Sequence, residues 1–113
     1  DVAPLEGELA ISAAALAELH FGVLVTADGA VRAERLRRLL YFQRRFNALP
    51  IDDAVAASYG QLAAAVAAAG LRPRSRVMDL LIAATAHAHS ARLYTRNARD
   101  LGGIEHLIEI VSV

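Results

Sequence analysis

The sequence predicts an α/β domain built around a mainly parallel sheet. Short apolar runs alternate along it with longer segments of helical periodicity, which is the pattern of strands joined by helices. Polar residues that cap helices stand at the boundaries, and residues 108–113 alternate like a closing strand. The chain has 113 residues, which suits one domain and leaves little room for two.

Two strands and two helices are expected in the first half of the chain. The apolar run that ends at Ser12 follows an acidic, Gly-containing stretch, so residues 1–8 are expected to form a surface connection. Ser12 and Asp28 are each placed to cap a following helix. The predicted order is a strand over 9–12, a helix over 13–24, a helix over 30–46 and an extended segment over 48–51.

The second half begins at Asp52, a good N-cap. Val55, Tyr59, Leu62 and Val66 then share one helix face. Gly70 ends that helix, since glycine readily adopts the left-handed conformation found after a helix. The predicted elements beyond Gly70 are a basic loop over 72–76, a helix over 77–90, a strand over 93–95, a loop with helical turns over 96–103 and a strand over 108–113.

The composition excludes several classes of protein. Hydrophobic residues make up 56% of the chain and the net charge is zero, which excludes a disordered protein. The chain has no Cys, so disulfide scaffolds, cysteine zinc fingers and thiol catalysis are excluded, and a reducing compartment is favoured. No apolar run approaches a membrane span and no signal peptide is visible, so we expect a cytoplasmic protein without a membrane partner.

Three acidic residues lack a simple solvated explanation. In parallel sheets, ligands bind beyond the carboxyl ends of the strands. Glu18 lies in an apolar helix, Asp79 opens an otherwise uncharged helix, and Asp100 follows a strand. Carboxylates that share a partly buried site repel one another, so one of them is protonated or a cation binds. Oxygen ligands of this kind favour Mg²⁺ or Mn²⁺.

Each acid also has a structural interpretation. Asp79 can cap its helix, Glu18 can reach solvent along an apolar face, and Asp100 can occupy a turn before Gly102 and Gly103. The residues alone therefore lead no further than an α/β domain with a candidate acidic site.

These segments, taken together, resemble the PIN domain, and specifically the VapC toxin ribonucleases of bacterial toxin–antitoxin systems. Each motif is weak alone, but the ordered set covers nearly the whole chain. The segments that carry the resemblance are residues 11–12, 16–23, 49–52, 59–60, 76–84, 95–101 and 110–113, together with Gly103.

The resemblance implies a three-layer α/β/α fold with strand order 3-2-1-4-5 and metal-dependent endonucleolytic cleavage of RNA. It places the acidic metal ligands, Mg²⁺ or Mn²⁺, at Glu18, Asp79 and Asp100, with Asn97 beside them to orient metal or water. Leu101 stands where Phe is common in the family. The family opens with a central strand ending in Asp that has no counterpart in residues 1–113, so we expect a single PIN domain that is incomplete at its N-terminus.

The basic residues suggest a site for RNA phosphates. All 12 cations are Arg, whose planar guanidinium binds phosphate in a bidentate manner. Those near the acids, Arg72, Arg74, Arg76 and Arg96, are the candidates for RNA binding, with a solvated loop as the alternative for the first three. The arginines over 32–45 are expected mainly on a solvated face paired with acids such as Glu34, and the four His residues are expected to be structural or exposed.

The resemblance also implies partners: an RNA substrate, a VapB-like antitoxin and a second copy of the chain. The apolar faces of the helices that contain Leu36 and Val55 are candidates for the protein interfaces. Two alternatives stay open. One is a catalytically inactive PIN-like fragment that binds an antitoxin or dimerises, and the other is an unrelated alanine-rich helical domain.

Overall fold

The computed structural model describes residues 2–4 and 10–113, and these contain five strands and four α-helices. Two short 3₁₀ turns, Pro73–Arg76 and Ala98–Leu101, lie between them. The predicted connection over residues 5–8, the first predicted strand residue Leu9 and the first residue Asp1 lie outside the described part. In chain order the elements are β1 (Val2–Pro4), β2 (Ile11–Ser12), α1 (Ala13–Val25), α2 (Gly29–Arg45), β3 (Ala48–Leu49), α3 (Asp53–Ala68), α4 (Val77–Ala88), β4 (Ala91–Thr95) and β5 (Ile110–Ser112).

The α/β class is confirmed, because helices connect strands that pair in parallel. β2 pairs in parallel with β3, Ile11 lying opposite Ala48, and β4 pairs in parallel with β5, Leu93 lying opposite Ile110. The predicted strand order, 3-2-1-4-5, places strand 3 beside strand 2 and strand 4 beside strand 5, as these two pairs do. Among the described residues they belong to separate sheets of two and three strands rather than to one continuous ladder.

The expectation of a surface connection at the start of the chain is wrong for residues 2–4. These residues form β1, which pairs antiparallel with β4 at the edge opposite β5, Val2 lying opposite Leu93. The physical reason is the free edge of β4, whose backbone groups need hydrogen-bond partners when they are away from water. The extended segment Val2–Pro4 supplies those partners through antiparallel pairing.

The hydrophobic core lies between α3, α4 and β4. Leu62 and Val66 of α3 are fully buried against a cluster that includes Leu80, Ala84 and Leu93. The alanines of α4 let the two helices approach closely, because a methyl side chain adds little bulk between their axes. The Val55 face of α3 therefore belongs to the core, and the expectation that it forms a protein interface is wrong.

Arginines hold α1 and α2 together as a hairpin. Arg35 donates a hydrogen bond to the carbonyl of Gly22 (2.8 Å), and Arg32 donates to the carbonyl of Thr26 (3.0 Å). The last carbonyls of a helix have no partner within the helix, so these side chains satisfy groups at the end of α1. Arg37 pairs with Glu34, as expected for a solvated helix face.

The predicted helix caps are confirmed at three helices. The side chains of Ser12, Asp28 and Asp52 each accept a hydrogen bond of 3.0 Å from a backbone N–H three residues later. α3 ends just before Gly70, which has φ of +80°. No helix in residues 10–113 is long and apolar enough to cross a membrane.

Two glycines near α3 give a matched test of this local structure. Gly60 lies inside the helix with no atom near the position of an added Cβ, so Gly60→Ala is expected to raise the free energy of unfolding by about 0.5–1 kcal/mol. Gly70→Ala forces an alanine to positive φ and is expected to lower it by about 1–2 kcal/mol. Urea denaturation measures both, and shifts of the same sign would contradict the helix boundary described here.

Candidate active site

A small cavity of about 130 Å³ brings together residues from three elements. Glu18 comes from α1, Asp79 from the first turn of α4, and Asn97 from the segment that follows β4. This is the carboxyl end of β4, where binding sites occur in parallel sheets. The hydroxyl of Thr95 accepts a hydrogen bond of 3.0 Å from the backbone N–H of Asn97. This bond helps to hold the turn that carries the Asn97 side chain.

Asp79 does not cap its helix. The N-cap position of α4 is Arg76, and no side chain caps this helix, so the Asp79 carboxylate is free for another role. Burial raises the pKa of Asp79 above its usual value, and repulsion from Asp100 raises it further, while the Arg76 guanidinium opposes the shift. A proton or a cation is therefore favoured at this carboxylate.

Glu18 has the same character at the other side of the cavity. Although the residue is exposed overall, partial burial of its carboxyl group raises its pKa, and repulsion from Asp79 raises it further. The Asp79 carboxylate thus acts on Glu18 across the cavity. Two acids with raised pKa values in a concave site are typical of functional sites, because a fold gains no stability from placing them together.

Asp100 lies beside the cavity rather than in its lining. Its side chain is exposed, and its backbone is fixed on both sides. The N–H of Asp100 donates to the carbonyl of Asn97 (2.9 Å), and the carbonyl of Asp100 accepts a hydrogen bond of 2.9 Å from the Arg76 guanidinium. Arg76 therefore ties the start of α4 to the turn that contains Asp100.

The side-chain oxygens that line the acidic cavity have the chemistry to bind a hard divalent cation. Two carboxylates and an amide line the cavity, and oxygen donors of this kind are the ligands of Mg²⁺ and Mn²⁺. Within residues 2–4 and 10–113, however, no group of three His, Cys, Asp or Glu residues converges as a metal site. The described residues therefore supply part of a divalent-cation site, with Asp100 as an adjacent negative charge.

A second, larger cavity opens beside the first. We call this cavity, of about 440 Å³, the arginine groove, because Arg38 from α2 and Arg96 line it together with Phe42. Glu18 and Asn97 line both cavities, so the arginine groove leads directly to the acidic cavity. The two cavities also share Tyr94 and Thr95.

Sequence reasoning singled out Arg96 but missed Arg38, Phe42 and Tyr94 as residues of this region. Tyr94 could have been found, since it lies in β4 next to the segment that bears Asn97 and Asp100. Arg38 carried no such signal, because its position depends on how α2 folds back against α1.

The remaining candidates lie apart from these cavities. Arg72 and Arg74 are exposed in the loop and 3₁₀ turn before α4, and they line neither the acidic cavity nor the arginine groove. His87 bonds to the buried Ser58 through Nδ1 (2.8 Å) and links α4 to α3, as a structural residue does. His20 contacts Gln43, and His89 and His106 are exposed.

An α/β fold with an acidic cavity at the carboxyl end of β4 is the arrangement expected of a PIN domain. Comparison with known proteins leads to the same class. The family model of the PIN domain matches residues 2–102, and the chain belongs to the PIN domain family.

Relatives within that family are VapC ribonucleases. Ribonuclease VapC8 of Mycobacterium tuberculosis (strain CDC 1551 / Oshkosh) is 36% identical over 85 residues, which are 75% of each chain. Ribonuclease VapC4 of Mycobacterium tuberculosis (strain ATCC 25618 / H37Rv) is 37% identical over 90 residues, or 80% of this chain and 67% of that protein. The chain is a member of the VapC ribonuclease family.

Solved structures of the same family share the fold. VapBC-5 of Mycobacterium tuberculosis, a member of the VapBC family of toxin–antitoxin systems, superposes with a TM-score of 0.78 at 32% identity, covering 92% of this chain and 81% of that chain. VapBC2 of Rickettsia felis, bound to a DNA fragment from its promoter, gives a TM-score of 0.73 at 27% identity, covering 91% of this chain and 73% of that chain.

The raised pKa values of Glu18 and Asp79 predict how stability depends on pH without divalent cations. A raised pKa in the folded state means that the folded protein binds protons more tightly than the unfolded chain. Stability from these groups is therefore present below their usual pKa, about 4, and is lost as pH rises through the folded values. In chelator at pH 7, we expect Asp79→Asn to melt at a higher temperature than the wild type, and the gain to disappear near pH 4.

The melting temperatures of the wild type and Asp79→Asn are measured by thermal unfolding between about pH 4 and pH 7. Asp53→Asn, at an exposed carboxylate at the start of α3, is the control and is not expected to gain stability at neutral pH. A melting temperature of Asp79→Asn below that of the wild type at pH 7 would contradict the repulsion described for this cavity.

Proposed function

We propose that this chain is the toxin component of a toxin–antitoxin system and acts as a metal-dependent endoribonuclease that hydrolyses RNA phosphodiester bonds. One observation carries the proposal. Glu18 and Asp79, both with raised pKa values, share a cavity with Asn97 at the carboxyl end of β4, in a chain of the VapC ribonuclease family.

Each residue of the cavity has a role in the proposal. Glu18 and Asp79 hold Mg²⁺ or Mn²⁺, with Asp100 contributing negative charge from beside the cavity or acting as a further ligand. The Asn97 amide orients the attacking water or a phosphate oxygen, since it lies in the same lining. Arg96, the residue that precedes Asn97, binds phosphate.

A cation held by these residues would act as a Lewis acid that makes water a better nucleophile and offsets the negative charge that develops on the phosphate. The side chains of this protein prepare the site for it. A cation between Glu18 and Asp79 relieves the repulsion between the two carboxylates. The pair is therefore expected to bind a cation more tightly than either carboxylate would alone. The resemblance adds a further acid to this ligand set, carried by the family's opening strand.

Sites for partners also follow from the exposed surface. The solved relatives are toxin–antitoxin assemblies, and we propose a VapB-like antitoxin as the partner of this chain, with self-association as a dimer. Apolar side chains are exposed along the α1–α2 hairpin, including Phe21 (66% exposed), Leu24 (74%) and Leu36 (43%). An exposed apolar patch of this kind is typical of a protein interface.

The same hairpin surface favours a second candidate function, a catalytically inactive module that binds an antitoxin or dimerises. The described residues contribute only two carboxylates to the acidic cavity, which is consistent with this alternative. Cleavage measurements distinguish the two functions, because the module binds its partner but does not hydrolyse RNA.

The enzymatic proposal is tested with Asp79→Asn in the full-length protein. We expect Mg²⁺-dependent cleavage of RNA by the wild type, loss of that cleavage in chelator, and a rate at least about 100-fold lower in the variant, since a removed group that stabilises transition-state charge costs about that much. Asp53→Asn is the matched control and is expected to keep wild-type activity. Full activity in Asp79→Asn, or cleavage that resists the chelator, would refute the mechanism.

The proposed interface is tested by replacing Leu24 and Leu36 together with Ser. Burial of each side chain against a partner is worth about 1.5–3 kcal/mol, so we expect antitoxin binding to weaken at least tenfold while RNA cleavage is retained. Isothermal titration calorimetry measures the affinity. Ile51→Ser, at an exposed apolar residue outside the hairpin, serves as the control, and equal affinities for all three proteins would place the antitoxin elsewhere.

A further inference from the structure

The arginine groove contains a combination of side chains that the acidic cavity does not explain. Arg38 and Phe42 lie one turn apart on α2, and Arg96 faces the same groove from the segment after β4. Neither Arg38 nor Arg96 forms an ion pair with another residue of 10–113. This distinguishes them from Arg32, Arg35 and Arg76, whose guanidinium groups bind backbone carbonyls.

An anion is the ligand that this groove suits. Two guanidinium groups that form no ion pair among residues 10–113 concentrate positive charge in a concave site, where they attract phosphate and bind it with charge-assisted hydrogen bonds. The volume of about 440 Å³ falls within the range of small-molecule binding sites and accommodates a nucleotide unit.

The groove also offers aromatic surface. Phe42 is half-buried in a cluster with Tyr41 and Phe46, whose ring centres lie 5.6 and 5.7 Å from its own, so the cluster holds its ring in place. Tyr94 lines the groove from β4. Aromatic rings beside cationic side chains are the usual means by which proteins bind single-stranded nucleic acid, with bases on the rings and phosphates on the cations.

We infer that the arginine groove binds single-stranded RNA next to the site of cleavage, with phosphates on Arg38 and Arg96 and an unpaired base against Phe42. The inference rests on the proposed function, because Glu18 and Asn97 line both cavities and thereby connect the groove to the proposed metal site. Paired bases are stacked inside a duplex and do not reach an aromatic side chain in a groove, so the single strand is the favoured form.

This assignment moves the main RNA contact from the loop before α4 to the α1–α2 hairpin. Arg72 and Arg74 line neither cavity, whereas Arg38, expected on a solvated face, lines the groove. The hairpin thereby contributes both an acid of the cavity, Glu18, and a cation of the groove. Substrate preference is accordingly determined by side chains of α2 as well as by the residues that follow β4.

The test measures binding of a short, fluorescently labelled single-stranded RNA of mixed sequence in chelator, so that no cleavage occurs. Fluorescence anisotropy is recorded at several salt concentrations for the full-length wild type, Arg38→Gln, Arg96→Gln, Phe42→Leu and Arg44→Gln. The control, Arg44→Gln, removes the same charge from an exposed residue of α2 that lies outside the groove.

We expect Arg38→Gln and Arg96→Gln each to weaken binding about tenfold. Each is also expected to lower the slope of log affinity against log salt by about 0.7, the value for one lost phosphate contact on a single strand. Phe42→Leu keeps an apolar side chain for packing and is expected to weaken binding about tenfold with an unchanged slope, because stacking is lost and no charge is removed. Arg44→Gln is expected to stay within about twofold of the wild type.

The outcomes separate this inference from the proposed function. Weaker RNA binding by the three groove variants supports the inference even where the wild type does not cleave RNA, which counts against the enzymatic proposal alone. Wild-type affinities in all three variants overturn the inference, even where Mg²⁺-dependent cleavage is intact. Retained RNA binding together with lost antitoxin binding would assign the groove to the protein partner and also overturn it.

Discussion

The packing of α4 against α3 and β4 is the interaction on which the rest of the structure depends. Leu80, Ala83 and Ala84 are fully buried there, and the first turn of the same helix carries Asp79. Burial of the apolar face gives the free energy that keeps this carboxylate close to Glu18 and Asp100 in spite of their repulsion. One helix thus contributes residues both to the core and to the candidate site. A substitution that disturbs the packing of α4 is therefore expected to displace Asp79 as well.

Much of the fold could be predicted from the sequence because its signals are local. Ser12, Asp28 and Asp52 cap helices through hydrogen bonds to residues three positions later, and the left-handed conformation of Gly70 depends on its own backbone. The antiparallel strand β1 could not be predicted in this way, since its partner β4 lies near the other end of the chain. Local patterns carry no information about such long-range partners.

The acidic residues of the candidate site could be predicted from the sequence, whereas most of its arginines could not. Glu18 and Asp79 stood out because a charge in an apolar helix is costly, and the structure brings them to one cavity with Asn97. Arginines gave no such signal, because an exposed guanidinium is inexpensive wherever it lies. Phosphate binding by Arg76 stays a prediction, and its hydrogen bond to the carbonyl of Asp100 had no signal in the sequence. Assigning the cations required the three-dimensional arrangement of α1 and α2.

The arginine contacts within the α1–α2 hairpin have a geometric consequence for any strand that lies across it. Arg32 and Arg35 bind the last carbonyls of α1, so α2 cannot slide along α1 without breaking these bonds. These bonds therefore help to hold the spacing between Glu18 on α1 and Arg38 on α2. Under the proposed function, this spacing sets how many nucleotides lie between the phosphate in the groove and the phosphate at the acids, so the hairpin would determine the position of the cut.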